Sequence, residues 1–423
     1  MLAVGFRGDV QPVVALGGAL AAAGHDVRVA TSPEFEGLVT EAGLSFSPAG
    51  PRASDVINAE DGRTLVGGDR GIVRQAAQLR RVLDPLVPQL LQDLRRAVEG
   101  ADAVLFTPLV NIGDIPDLGV PAIMVSLWPK SRTSAFPAVG FPHAPLLDGP
   151  YNRLTHVLLE QLSWRPLQRQ GNRVRQALGM PPLRWDTPLG HAHKRRLPVL
   201  YGFSEAVVPR PPDWGPWLHI TGYWFHGADP GWQPRADLRR FLDQGDPPVV
   251  VTFGSMTRGD PSRLTRIAAQ ALRLAGRRGV LVGPLDPVVH SDRLFHVSEI
   301  PHHWLFPKAA AVVHHGGAGT AAAALRAGVP NITVPYFADQ PFWAERIRAL
   351  PAGPDPLPRR TLTPERLAAA INHATSDQRI LDGARRISRR LRQEDGLTRA
   401  VQTIERHLES HPKPPTEAPR PLA

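Results

Sequence analysis

Hydrophobic and polar positions along the first third of the chain switch between two periods. Short apolar runs at Leu2 to Phe6, Asp26 to Thr31, Leu44 to Phe46, Ala103 to Phe106 and Pro121 to Leu127 predict strands. Between them lie segments with helical spacing. One runs through Ala23 and stops at Gly24, a residue suited to the turn after a helix; the others are Phe35 to Ala42 and Gly71 to Glu99, the latter interrupted at Pro85 and Pro88. Strands alternating with helices predict a parallel sheet covered on both faces.

The pattern then breaks. Pro129 to Pro150 is rich in loop formers, Tyr151 to Leu178 reads as helix, and Glu205 to Pro234 is crowded with prolines and with Trp214, Trp217, Trp224 and Trp232, Trp185 preceding them. This stretch reads as an inter-domain crossing. The strand–helix pattern restarts beyond it, with strands at Pro248 to Phe253, Gly279 to Val282, Ala310 to His314 and Asn331 to Val334, and helices at Ser262 to Ala275 and Gly319 to Ala327. The expected organisation is an N-terminal domain over 1–205, a crossing over 206–235 and a C-terminal domain over 236–410. The last helix is a candidate to pack back on the first domain, and the proline-rich tail 411–423 is expected to be disordered.

Composition narrows the function classes. A chain of 423 residues exceeds what one hydrophobic core supports, and 42% hydrophobic with 21% charged residues excludes wholesale disorder. The absence of cysteine removes disulfides, thiolate metal sites and thiol nucleophiles together. The net charge of +10 invites a nucleic-acid reading, yet only four of the 49 basic residues are lysines (Lys130, Lys194, Lys308, Lys413) and the arginines are scattered. That distribution describes a solvated surface and no nucleic-acid partner. No apolar run reaches the roughly 18 to 20 residues of a membrane span. Val13 to Ala23 imitates a signal-peptide core, but Asp9 before it and the continuing strand–helix pattern after it point to the cytoplasm.

Four places carry candidate chemistry. His314-His315-Gly316-Gly317-Ala318-Gly319-Thr320 joins a strand to a helix, where small residues let backbone N–H groups approach an anion at the positive end of the helix dipole. His315 can add a hydrogen bond to a phosphate, and Thr320 can either cap the helix or bind the phosphate. The spacing is neither a P-loop nor G-x-G-x-x-G. Asp339-Gln340 follows the next strand and offers acceptors and donors suited to a polyol; a turn with a helix cap is the alternative. Asp9, in Gly5-Phe6-Arg7-Gly8-Asp9, ends the first strand, where a carboxylate can take a proton from an alcohol or simply cap a helix. Ser255, after Phe253-Gly254, can meet a diphosphate oxygen. His191 with His193 and His302 with His303 lack the partner set of a metal site.

Together these residues resemble the bacterial natural-product and sterol-type glycosyltransferases of family 1 with the GT-B fold, which include the glycopeptide-antibiotic enzymes. The resemblance covers nearly the whole chain. It rests on the opening GFRGDVQPVVALGGALAAAGHDVRVAT, on Pro198 to Phe225, which looks like the family's domain crossing, and on Val312 to Gln340, which is similar to its nucleotide-sugar signature. It implies an α/β architecture of two Rossmann-like domains whose parallel sheets face a central cleft. It further implies Asp9 as general base, His315, Gly317, Ala318, Gly319, Thr320 and Ser255 around the diphosphate, and Asp339 with Gln340 on the donor sugar. The implied reaction is inverting hexosyl transfer from a UDP- or dTDP-sugar to a hydroxyl of a lipophilic small molecule. The sugar nucleotide is then a co-substrate, and no metal or other cofactor is expected, in keeping with the lack of an Asp-x-Asp pair. The expected oligomeric state is monomer or weak dimer. A non-catalytic nucleotide-sugar-binding relative is the alternative. Two departures stand out. The family usually has several more residues before its first strand, which makes Met1 a candidate late start. Plant relatives carry a base-stacking Trp where this chain reads Glu299-Ile300-Pro301-His302, which leaves uridine versus thymidine open.

Overall fold

A computed structural model describes residues 1–50, 87–108, 120–144, 147–177, 181–227, 231–253, 261–283, 291–336 and 338–410. Ser255, the start of the expected Gly71 to Glu99 helix and the tail 411–423 lie outside the described residues. The chain divides into two compact units. One comprises 1–203, 210–226 and 395–423; the other comprises 204–209 and 227–394. The segment expected as a crossing, 206–235, is therefore shared between the units. It also carries sheet structure, as the strand Leu218–Ile220 shows.

In the first unit the parallel strands are β1 (Arg28–Thr31), β2 (Ser45–Pro48), β3 (Val104–Phe106), β4 (Ala122–Ser126), β5 (Val199–Tyr201) and β6 (Leu218–Ile220). The leading residues lie between β1 and β3: Ala3 N–H donates to Ala30 O (2.9 Å) and Leu2 N–H to Leu105 O (2.7 Å). Leu2 bridges Ala30 on one side and Phe106 on the other, both in parallel. Counting this leading segment first, the sheet order is 3-2-1-4-5-6-7, a doubly wound Rossmann-type order with its reversal between the leading segment and β3. The expected strand Leu2 to Phe6 is shorter than its apolar run, because Phe6 already serves as the N-cap of the helix Arg7–Ala22. That helix buries Val10, Val13, Val14, Leu16 and Leu20, each contributing about 1.5 to 3 kcal/mol of burial free energy.

β5 and β6 lie within Pro198 to Phe225, where the sequence reading gave no strand. Three-residue strands flanked by Pro and Trp show too little periodicity to be read from sequence. The helix Gly396–Ser410 belongs to this first unit, where Ala400, Val401 and Ile404 join the core around the helix Arg7–Ala22.

The second unit repeats the plan. Its parallel strands are β7 (Val249–Thr252), β8 (Gly279–Val282), β9 (Leu294–Val297), β10 (Ala311–His314) and β11 (Asn331–Thr333), ordered β11-β10-β7-β8-β9. Numbered within the unit this is 5-4-1-2-3, so the order reverses between β7 and β10. Ligands of open α/β sheets bind outside the C-terminal ends of strands at such a switch point. β10 ends at His314, and the segment carrying Ser255 follows β7. The sheet is packed on one face by the helices Pro261–Leu274 and Pro364–Ser376 through Leu264, Ala268, Leu367 and Ile371.

Candidate active site

In the second unit the loop from β10 into the helix Ala318–Ala327 forms at the sheet's reversal. Gly317 is the helix N-cap and makes no side-chain cap. The first intrahelical bond runs from Ala321 N–H to Gly317 O (2.9 Å), so the N–H groups of Ala318, Gly319 and Thr320 have no intrahelical acceptor. Gly319 is exposed, and a Cβ added there would meet nothing within 4 Å. An oxyanion therefore has both donors and room. Thr320 does not cap the helix, contrary to one of its two sequence readings.

His315 lies over this loop. A Cβ added at Gly317 would fall 2.4 Å from His315 Nε2, so the glycine is what admits the ring. His315 Nδ1 is buried and has no hydrogen-bond partner among the described residues. Desolvation lowers the pKa of this imidazole to about 4, so it is neutral at physiological pH. A neutral ring can donate one hydrogen bond to a phosphate oxygen without carrying a charge into the site.

Asp339 and Gln340 are brought to the same loop. Gly316 has φ +85°, and a Cβ there would lie 3.0 Å from Gln340 O. Asp339 Oδ2 accepts the Trp343 indole N–H (2.8 Å), and Gln340 Oε1 accepts the Tyr336 N–H (2.8 Å). Asp339 is the N-cap residue of the helix Gln340–Ala349, but its side chain does not cap it. Both side chains thus hold the turn that follows β11.

Asp9 belongs to the first unit, in the first turn of the helix Arg7–Ala22, at the corresponding switch point. Its Oδ2 accepts the Phe6 N–H (2.9 Å), which is the capping function weighed from sequence. No protein donor among the described residues meets Oδ1. Desolvation raises the Asp9 pKa above the usual carboxylate value, against the opposing effects of the Phe6 N–H and the positive charge of Lys130. Gly5 has φ +149°, and a Cβ there would fall 2.5 Å from Asp9 Oδ2. One carboxylate thus caps the helix through Oδ2 and leaves Oδ1 without a donor among the described residues.

Two residues escaped the sequence reading. Gly5 sets the space for Asp9; its signal was its place in the Gly5-Phe6-Arg7-Gly8-Asp9 turn. His314, treated from sequence only as half of a histidine pair, is fully buried and bonded on both ring nitrogens.

Residues 1–93 match the family model for the glycosyltransferase family 28 N-terminal domain, and residues 289–406 match the model for the erythromycin biosynthesis protein CIII-like, C-terminal domain. The O-mycaminosyltylonolide 6-deoxyallosyltransferase of Streptomyces fradiae is 37% identical over 97% of this chain and 97% of its own length. The chain belongs to this glycosyltransferase family. A sterol 3-beta-glucosyltransferase of Arabidopsis thaliana is 33% identical over 100% of this chain and 69% of its own length. Among solved structures, the glycosyltransferase of kitacinnamycin has a TM-score of 0.72 at 22% identity, covering 96% of this chain and 98% of that one. A spinosyn rhamnosyltransferase complexed with thymidine diphosphate has a TM-score of 0.62 at 20% identity, covering 96% and 99%. The fold is GT-B, and the chain is a nucleotide-sugar-dependent glycosyltransferase.

Proposed function

We propose that this glycosyltransferase moves a hexose, with inversion, from a UDP- or dTDP-sugar to a hydroxyl of a lipophilic small molecule, and that it does so without a metal ion. The observation that carries the reading is the glycine loop at the second unit's switch point, with helix N–H groups that have no intrahelical acceptor and a neutral His315 beside them. Such donors bind a diphosphate and stabilise the charge that develops on it as it leaves. Asp339 and Gln340, the latter abutting Gly316, are assigned to the sugar hydroxyls.

Asp9 is assigned as the base. In the step, the acceptor oxygen forms a bond to the anomeric carbon while the bond to the diphosphate oxygen breaks. The hydroxyl proton passes to Asp9 Oδ1, and the electron pair leaves with the nucleoside diphosphate. A carboxylate whose pKa is raised by desolvation is the stronger base for this transfer. A lipophilic acceptor is supported by the company of relatives named for a tylonolide and for a sterol.

Thermal unfolding in EDTA tests the donor half. UDP or dTDP is expected to raise the melting temperature, since a ligand of the folded state alone stabilises it. A rise that appears only with Mg²⁺ or Mn²⁺ contradicts the reading.

A further inference from the structure

We infer that His314 is a positioning residue for the donor loop, acting as a fixed hydrogen-bond acceptor that turns the Gly316 N–H inward and so aims the following N–H groups at the diphosphate. The inference rests on the donor site proposed above.

The hydrogen-bond chain admits one assignment. Gly316 N–H can only donate, and it reaches His314 Nδ1 at 3.1 Å, so Nδ1 carries no proton. Nε2 then carries it and donates to Asn331 Oδ1 at 3.0 Å. Asn331 is oriented for this because its Nδ2 donates to Val329 O at 2.8 Å. Asn331 is itself clamped: its N–H donates to Ala352 O, and a Cβ added at Gly353 would fall 1.9 Å from its carbonyl oxygen.

The consequence is geometric. Gly316 sits in the left-handed region (φ +85°) and bends the chain between β10 and the helix. With its N–H held by His314, the chain enters the helix at Gly317, whose Cβ position lies 2.4 Å from His315 Nε2, and continues to Gly319, whose Cβ position is open. The sheet thus sets the loop through one side-chain link, from Asn331 on β11 through His314 on β10 to Gly316. The link works only while His314 is neutral, because an imidazolium has no acceptor to offer. Burial keeps it neutral; the neighbouring titratable groups His315 and His302 oppose its protonation further, and the bond to Asn331 favours it but does not prevail.

The test on the wild-type chain is two-bond ¹H–¹⁵N correlation of the histidine rings from about pH 5 to about pH 9. His314 is expected to stay in the Nε2–H form throughout. An Nδ1–H form, or titration within that range, overturns the inference whatever the donor site binds. Variants then connect the bond to binding, with UDP and dTDP as probes. Asn places its Oδ1 where Nδ1 stood, so H314N is expected to bind within about threefold of wild type, while H314L, which has no acceptor, binds about tenfold or more weakly. In N331D a carboxylate faces Nε2 and favours the imidazolium. Its dissociation constant relative to wild type is expected to rise as pH falls. Equal binding by H314N and H314L, or a ratio for N331D that is flat with pH, reduces His314 to a structural residue. If wild type binds neither nucleotide while the ring correlations come out as expected, the donor reading fails and the assignment of the bond stands.

Discussion

Asp9 caps a helix and is proposed as the base, and the two roles predict different responses to substitution. An Asn carboxamide oxygen can accept the Phe6 N–H as the carboxylate does, so D9N keeps that bond. It cannot accept a proton, so turnover should fall by about 10² or more with donor affinity unchanged. A carboxylate with a raised pKa also loses stability as pH rises through its titration, because the folded state favours the proton. D9N should therefore melt at or above the wild-type temperature near pH 7. In wild type the acid limb of kcat/KM should lie above the usual carboxylate range. For His315, H315A should weaken UDP or dTDP binding by roughly 1.5 to 3 kcal/mol, the cost of one hydrogen bond to a charged group. Isothermal calorimetry reads both variants. At this scale the sequence disclosed which residues to examine, because Asp9 and His315 stand beside glycines at strand ends. It did not disclose the space that Gly5 leaves for the Asp9 carboxylate or the charge of Lys130, far along the chain, that acts on it.

Glycine-bearing turns at the two switch points do comparable work. A Cβ at Gly5 would meet Asp9 Oδ2, and a Cβ at Gly317 would meet His315 Nε2. G5A should thus lower kcat with little change in donor dissociation constant, and G317A should raise that constant by about tenfold with a smaller effect on kcat at saturating donor. Steady-state kinetics with varied donor separates the two. The strand–helix alternation that frames these turns was legible, down to strands such as Gly279 to Val282, because buried parallel strands read as apolar runs. β5, β6 and β9 were not. All three are short; Pro198, Trp214 and Trp217 beside β5 and β6 mask any period there, and β9 interrupts its apolar residues with His296.

Across the whole molecule, both Rossmann-type orders follow from pairings that no local pattern reveals, although the resemblance of the opening and of Val312 to Gln340 to known glycosyltransferases implied them. The last helix packs with the first unit, as expected of it from sequence. Gly396–Ser410 completes the first unit's core, and a Cβ at Gly396 would strike Tyr223 O at 2.4 Å. Truncation after Glu394 should remove the burial of Val401 and Ile404, about 3 to 6 kcal/mol, and lower the melting temperature sharply. Acid should act on the second unit. His314 and His315 stay neutral when folded, with pKa values of about 3 and about 4, so below the free imidazole pKa the unfolded chain binds more protons. Their contribution to stability is complete above about pH 6.5 and declines as pH falls toward about 4 for His315 and about 3 for His314, which urea denaturation at stepped pH would register. The most direct test of the account is product formation by wild type and D9N in EDTA, with a UDP- or dTDP-hexose and a sterol or macrolide aglycone, followed by mass spectrometry alongside donor affinity by calorimetry. The predicted result is a hexosylated product from wild type without metal, and a rate lower by about 10² or more in D9N at unchanged donor affinity. Equal rates from the two enzymes, or a product that forms only when a divalent metal is restored, would contradict it.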